Sequence, residues 1–281
     1  MSSRGWRERR VSLPGRGKIF VRESRGPENA PTLLLLHGLG ATGLLNWRPV
    51  LEPLERSYRV LVVDHRGHGR GMRIRAPFRL ADCADDVAAL TEELGIDRFL
   101  AVGYSMGGPI AQLLWQRHRD RIEGMILCAT ACQFASGDHR RLSHAFSPLL
   151  NVAGRVAPRR TIRRAAQQWL SESIVDPAIR ERVLSEVQSS DPVTVGQAAA
   201  AVMRFDSSSW ISQVDVPTSI VLTEMDRLVP ATTQRAMAGQ IPGSVVYSVA
   251  GDHSVCVTQP ALFVPALEAA CTSVVNRARR V

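Results

Sequence analysis

Short, almost continuously apolar runs alternate with segments of helical spacing along most of the chain. Runs without polar alternation are typical of strands covered on both faces, as in a parallel sheet. A preceding segment that ends in KIFVRES, at 18–24, predicts an antiparallel hairpin. Together these elements predict the α/β class, with a mostly parallel eight-stranded sheet sandwiched by helices. The six apolar runs predicted as strands are 32–38, 59–65, 98–105, 124–130, 218–226 and 244–253.

Helical spacing is clearest in the segment LADCADDVAALTEELG, at 80–95. Val87, Leu90 and Leu94 recur at intervals that place them on one helix face. Gly95 then supplies a residue suited to end the helix. This segment is therefore predicted to be a helix that packs one apolar face against the sheet.

The alternation stops between about 131 and 210, where no strand pattern appears. Three or four helices are predicted there, and three of them open with Pro or Asp-Pro. We therefore divide the chain into an α/β core, 1–130 and 211–281, and a helical lid inserted between its halves. In the segment 157–173, Trp169 lies on an apolar face and arginines lie elsewhere, so this helix is expected to cover a pocket; the alternative is a helix lying on an anionic membrane. The helical segments are 138–154, 157–173, 176–190 and 191–205.

Composition and charge argue against several classes of protein for this chain. The chain has 281 residues, 45% of them hydrophobic, which suits one large domain with an insertion. Five cysteines without a C-x-x-C pair favour reduced thiols in the cytoplasm over a disulfide scaffold or a zinc site. No secretory signal and no apolar run of membrane-spanning length is apparent, so membrane contact is not expected. The net charge of +9 comes from scattered arginines without a basic stripe, so nucleic-acid binding is not expected either.

One serine lies where a strand should turn sharply into a helix. Ser105 occupies the centre of GYSMG, after the predicted strand 98–105 and before a helical pattern. Gly103 and Gly107 would remove side chains that collide in such a turn. The turn would expose the Ser105 hydroxyl at the carboxyl edge of the sheet and free the Met106 N–H to bind an oxyanion.

A serine hydroxyl needs a base, and the base needs an orienting acid. His253 follows the last predicted strand, and Asp226 follows the strand before it. Two other acids compete with Asp226. Glu224 lies within the strand pattern, and Asp252 adjoins the histidine, where a side-chain contact with the imidazole is awkward.

The order Ser, Asp, His and the motifs HGLG, DHRGHGRG, GYSMGG, DRLVP and GDHS resemble the α/β-hydrolase superfamily over essentially the whole chain. Its bacterial serine esterase, lactonase and cofactor-free haloperoxidase branches are the most similar. The resemblance implies a second oxyanion donor at the Leu39 N–H, in a loop shaped by His37 and Gly38. The expected substrate pocket includes His37, Gly38, Tyr104 and, from the predicted lid, Trp169. No metal site and no cofactor are expected.

Serine at position 105 argues against the dehalogenases and epoxide hydrolases of this fold, which use aspartate there. The expected reaction is hydrolysis of an apolar carboxylic ester through an acyl-enzyme. Lactone or thioester hydrolysis and perhydrolysis on the same triad remain open. A ligand-binding receptor that keeps the fold without turnover is the alternative of another class.

Overall fold

The structure is a computed structural model that describes residues 6–135, 181, 184 and 189–280. Most of the predicted insertion, including Trp169, lies outside the described residues. Its last helix is described and begins at Pro192, with Asp191 as the N-cap, so that it opens with Asp-Pro as the sequence predicts. The division into core and lid therefore stays a prediction.

The described residues contain one sheet of eight strands: β1 (Arg7–Leu13), β2 (Gly17–Ser24), β3 (Thr32–Leu36), β4 (Arg59–Asp64), β5 (Phe99–Tyr104), β6 (Ile122–Cys128), β7 (Thr218–Thr223) and β8 (Val245–Val249). Their order in the sheet is β1-β2-β4-β3-β5-β6-β7-β8. β1 and β2 form an antiparallel hairpin, β2 pairs antiparallel with β4, and the remaining pairs are parallel. The predicted hairpin and mostly parallel sheet are confirmed.

Helices cover both faces of the sheet and enclose two apolar cores among the described residues. The helices of the described chain are α1 (Gly43–Glu55), α2 (Leu80–Glu93), α3 (Gly107–Arg117), α4 (Pro192–Arg204), α5 (Ala231–Gln240), α6 (Val255–Thr258) and α7 (Pro260–Ala278). Helices α2 and α3 pack on one face, whereas α1 and α7 pack on the other. Short 3₁₀ turns, Arg119–Arg121 and Ile211–Gln213, precede β6 and β7.

The strand at the far edge departs from the sequence prediction. We expected the last apolar run to be covered on both faces and to extend to 253, but β8 ends at Val249 and exposes Val245 and Val246. Among the described strands, β8 pairs only with β7, and α7 packs against it from one side. A strand at the edge of a sheet can therefore carry valines without burying them.

The parallel strands place the three candidate catalytic residues at one edge of the sheet. β5, β6, β7 and β8 are neighbours and run in the same direction, so their carboxyl ends meet at one side of the sheet. Ser105 follows β5, Asp226 follows β7 and His253 follows β8. In the part of the chain that is described, no helix is long and apolar enough to cross a membrane.

Candidate active site

Ser105 lies in a strained turn between β5 and α3. Its φ of 52° is in the left-handed region, which side chains other than glycine adopt rarely. A Cβ atom added at Gly103 would lie 2.2 Å from the Gly107 carbonyl oxygen, and one added at Gly107 would lie 2.1 Å from the Leu36 carbonyl oxygen. Both glycines are therefore required by the close approach of backbone segments around the serine.

The end of β6 holds the backbone of this turn. The Ser105 N–H donates to the Cys128 carbonyl over 2.9 Å, and the Thr130 hydroxyl donates to the Ser105 carbonyl over 2.8 Å. Between these two partners, Ala129 also adopts a positive φ, 46°. The Gly108 N–H donates to the same Ser105 carbonyl over 2.9 Å. Strain at the serine is thus retained by contacts on both sides of it.

A line of hydrogen bonds joins the three residues predicted at the strand ends. The Ser105 hydroxyl lies 2.9 Å from His253 Nε2, and His253 Nδ1 lies 2.7 Å from Asp226 Oδ2. The Asp226 side chain is fully buried, whereas 20% of the imidazole side chain is exposed. The arrangement places a hydroxyl, an imidazole and a buried carboxylate in the order that proton transfer from the serine requires.

Asp226 is held in its ionised form. Burial by itself raises its pKa, but the hydrogen bond and charge of His253, together with donors from its own turn, outweigh burial and lower the pKa below its ordinary value. Those donors are the Thr223 hydroxyl at 2.8 Å and the N–H groups of Leu228 and Val229 at 2.9 Å. The carboxylate is therefore fixed in position and charged when it accepts from the imidazole.

The competing acids have other partners. Glu224 is exposed and pairs with Arg235 over 2.5 Å. Asp252 accepts from the N–H and the hydroxyl of Ser254, over 2.8 and 2.7 Å. Since both nitrogens of His253 already contact Ser105 and Asp226, the geometry favours Asp226 over both alternatives.

The loop after β3 lies against the serine. A Cβ atom added at Gly38 would lie 3.3 Å from the Cβ of Ser105. The Gly38 N–H donates to the side-chain oxygen of Asn46 over 2.9 Å. Within the described residues, the N–H groups of Leu39 and Met106, the two expected oxyanion donors, donate to no acceptor. Leu39 is 38% exposed, whereas the Met106 side chain is buried.

His37 is a buried structural member of this loop. Its Nδ1 lies 2.8 Å from the Gly38 carbonyl, and its Nε2 accepts the His65 N–H over 3.0 Å. These two contacts select one neutral tautomer, with the proton on Nδ1. Burial lowers the pKa of His37 to about 4, so the ring stays neutral near pH 7. His37 thereby ties the loop after β3 to the loop after β4.

Tyr104 packs behind the imidazole. It is 3% exposed, its hydroxyl donates to the His253 carbonyl over 2.8 Å, and its ring packs against those of Trp47 and Phe263. The structure thus places Tyr104 in contact with the loop that carries His253. Trp169, the other aromatic residue expected at the pocket, lies outside the described residues.

Several supporting residues were not found from the sequence. Gln234 is fully buried on α5, and its amide donates to the Thr223 hydroxyl over 2.8 Å and to the Val229 carbonyl over 2.7 Å. Asn46 and Thr130 were missed as well. The only available signal was a polar residue among apolar neighbours, and this signal does not specify a partner. Of the residues described, no group of three or more His, Cys, Asp or Glu is arranged to hold a metal ion.

Comparison with known proteins supports the fold described above. The family model described as "alpha/beta hydrolase fold" matches residues 31–260. A relative from Agrobacterium fabrum named "Putative carbamate hydrolase RutD" is 28% identical over 248 residues, which cover 87% of this chain and 94% of the relative.

Solved structures show the same fold. A thermophilic esterase from Thermogutta terrifontis superposes with a TM-score of 0.78 and 26% identity, covering 95% of this chain and 99% of that one. The enol-lactonase from Burkholderia xenovorans superposes with a TM-score of 0.79 and 22% identity, covering 94% of this chain and all of the other. With the match to the family model over most of its length, the chain belongs to the α/β-hydrolase fold family and is an α/β-hydrolase enzyme.

Proposed function

We propose that the protein is a serine hydrolase that cleaves a carboxylic ester through a Ser105–His253–Asp226 triad and an acyl-enzyme. The observation that carries the proposal is the unbroken hydrogen-bonded line from the Ser105 hydroxyl through His253 to the buried carboxylate of Asp226. A receptor without turnover has no need of this line, which argues against the non-catalytic alternative.

In the first half-reaction, Ser105 Oγ attacks the ester carbonyl carbon while His253 Nε2 takes the hydroxyl proton. The carbonyl π electrons move onto oxygen, and the N–H groups of Leu39 and Met106 stabilise the resulting oxyanion. Asp226 orients the ring and stabilises the imidazolium. When the tetrahedral intermediate collapses, the bond to the alcohol oxygen breaks and His253 gives its proton to the leaving alkoxide.

In the second half-reaction, water replaces the alcohol. His253 takes a proton from water as its oxygen attacks the acyl carbon, and the same two N–H groups stabilise the second oxyanion. Collapse then breaks the bond to Ser105 Oγ, which recovers the proton from His253. The carboxylic acid leaves, and no step needs a cofactor or a metal.

Several classes of carbonyl compound would react with a serine nucleophile of this kind. The similarity to an esterase supports an ester. Lactones and thioesters would react at the same triad, and perhydrolysis would use hydrogen peroxide instead of water in the second half-reaction. The name of the Agrobacterium fabrum relative favours a second candidate, a carbamate, whose carbonyl would accept the same attack and give a carbamoyl-enzyme. If the predicted lid covers Ser105, medium-length apolar acyl groups should be preferred over acetate, and Trp169→Ala should change this preference.

A fluorophosphonate probe tests the nucleophile directly. Wild-type protein should be labelled, Ser105→Ala should not be labelled, and the control Ser254→Ala should be labelled at the wild-type rate. A folded Ser105→Ala protein that is still labelled at the wild-type rate would overturn the assignment. A panel of acyl esters, lactones and a phenyl carbamate, assayed on unlabelled wild-type protein, then ranks the substrates by kcat/KM.

A further inference from the structure

A single buried amide links two loops that carry the proposed chemistry. Asn46 lies on α1 and is 3% exposed. Its side-chain oxygen accepts the Gly38 N–H over 2.9 Å, and its side-chain nitrogen lies 3.4 Å from the sulfur of Cys256. Gly38 belongs to the loop after β3, whereas Cys256 lies on α6, three residues after His253.

Cys256, the second partner of Asn46, lies near Tyr104, which contacts His253. The Cys256 thiol lies beside the Tyr104 hydroxyl, and burial, with the neighbouring Cys256, raises the pKa of Tyr104 well above its usual range. The phenol therefore keeps its proton and donates it in a hydrogen bond to the His253 carbonyl over 2.8 Å. Hydrogen bonds thus join Asn46 to Gly38 and to α6, and Tyr104, in the same core as Cys256, contacts the residue that faces Ser105.

Helix α1 gives this link a rigid base. Trp47, Val50 and Leu54 of the same helix are fully buried in the core that contains Tyr104 and Cys256. A buried amide that is satisfied on both its oxygen and its nitrogen is costly to move, because any displacement leaves a polar group without a partner.

We propose, on the basis of the hydrolase function proposed above, that Asn46 is a positioning residue. It fixes the loop after β3, which carries Gly38 and Leu39, relative to the loop that carries His253. By accepting the Gly38 N–H it keeps that donor away from the reacting carbonyl, so that the Leu39 N–H is the donor this loop presents. Asn46 does not touch the substrate, and it acts on the transition state through Gly38.

Replacing Asn46 with leucine keeps the branched shape of the side chain and removes both hydrogen bonds. The freed Gly38 N–H will seek a new acceptor, and the loop will shift. Since one oxyanion donor is worth about 10²–10³ in rate, a misplaced donor in Asn46→Leu should lower kcat by roughly 10-fold or more. KM should change little, because the oxyanion exists only after attack. Val50→Ala, in the same helix, controls for lost packing and should keep kcat per folded enzyme.

An inhibitor that forms an oxyanion separates positioning from general destabilisation. A trifluoromethyl ketone ester analogue adds to Ser105 and places an alkoxide where the proposed intermediate has one. Its inhibition constant should rise in Asn46→Leu by about the same factor as kcat/KM falls. Asn46→Asp, which keeps an oxygen for the Gly38 N–H, should lose less than Asn46→Leu in both measurements.

Each rate is expressed per active site of folded enzyme. Thermal melts give the folded fraction, and titration with fluorophosphonate gives the concentration of active sites. Unchanged kcat and inhibitor affinity in Asn46→Leu, or equal losses in Val50→Ala, would overturn the inference. Should Asn46→Leu not fold, Cys256→Ala and Cys256→Ser test the other end of the link, with the larger loss of kcat expected for alanine. Equal rates in those two variants would then overturn it. If wild-type protein neither reacts with the probe nor cleaves any ester, the proposed function itself has failed.

Discussion

The hydroxyl of Thr130 donates a hydrogen bond of 2.8 Å to the backbone carbonyl of Ser105. Two residues earlier, the Cys128 carbonyl accepts the Ser105 N–H. The positive φ of Ala129 lets one short segment at the end of β6 hold both polar groups of the strained residue. Thr130 is almost fully buried, so water does not replace this contact easily.

Thr130→Val should therefore disturb the nucleophile, because it removes the donor and keeps the shape. We expect a several-fold lower rate of fluorophosphonate labelling and a loss of about 0.5–1.5 kcal/mol in the free energy of unfolding, as for one lost hydrogen bond at a carbonyl that still accepts the Gly108 N–H. Thr130→Ser keeps the hydroxyl and should restore the labelling rate. Equal labelling rates in the two variants would show that the hydroxyl plays no part in positioning Ser105.

The acid of the triad is tested by removing its charge. Asp226→Asn should lower kcat on the order of 10⁴-fold, because an asparagine amide favours the wrong imidazole tautomer. Substrate affinity should change little. Glu224→Gln is the matched control and should stay near the wild-type rate, since Glu224 pairs with Arg235 at the surface. The reverse result in steady-state kinetics would move the acid to Glu224.

The turn around the serine is tested by adding a methyl group. Gly107→Ala would place a Cβ atom 2.1 Å from the Leu36 carbonyl oxygen, so the backbone must shift. We expect a loss of about 1–3 kcal/mol or more in unfolding free energy and little labelling of Ser105. Gly196→Ala, on an exposed and open position of α4, should instead stabilise the protein by up to about 1 kcal/mol. Urea denaturation of both variants measures the difference.

Acid should destabilise the protein through three buried histidines. The ring centroids of His65 and His68 lie 4.4 and 5.3 Å from that of His37. Burial lowers the pKa of His37 to about 4 and of His68 to about 3, and it lowers that of His65 well below the ordinary 6.5. The unfolded chain therefore binds more protons than the folded chain below about pH 6.5.

The sign of the effect follows from this difference in protonation. The stabilisation is complete above about pH 6.5 and falls as the pH drops toward 4, by about 1.4 kcal/mol per pH unit for each histidine. Urea denaturation at pH 7.5, 6 and 5 measures the slope. In His68→Asn, the asparagine amide can donate to the Arg66 carbonyl in place of the imidazole. The change in unfolding free energy with pH should then be smaller by about the contribution of one histidine. An unchanged slope would contradict the assignment of His68 to this effect.

Much of the core can be predicted from local pattern alone. The helix predicted at 80–95 is observed as α2, and Gly95 follows it with a φ of 61°. Such elements are predictable because the spacing of their own apolar residues determines which face is buried. The sharp turn at Ser105 was predictable for a related reason, since glycines two residues on either side relieve collisions within the turn and with its neighbours.

Sequence patterns predicted the hairpin, the central strands of the sheet and the order of Ser105, Asp226 and His253, which follow β5, β7 and β8. The packing of these elements decides which acid contacts the imidazole and which buried polar groups hold the site. Asn46 and Cys256 are separated by 210 positions, and their contact depends on how α1 and α6 pack around the carboxyl edge of the sheet. Apolar periodicity specifies which face of an element is buried, but a hydrogen bond depends on distances and angles set by every element between its partners.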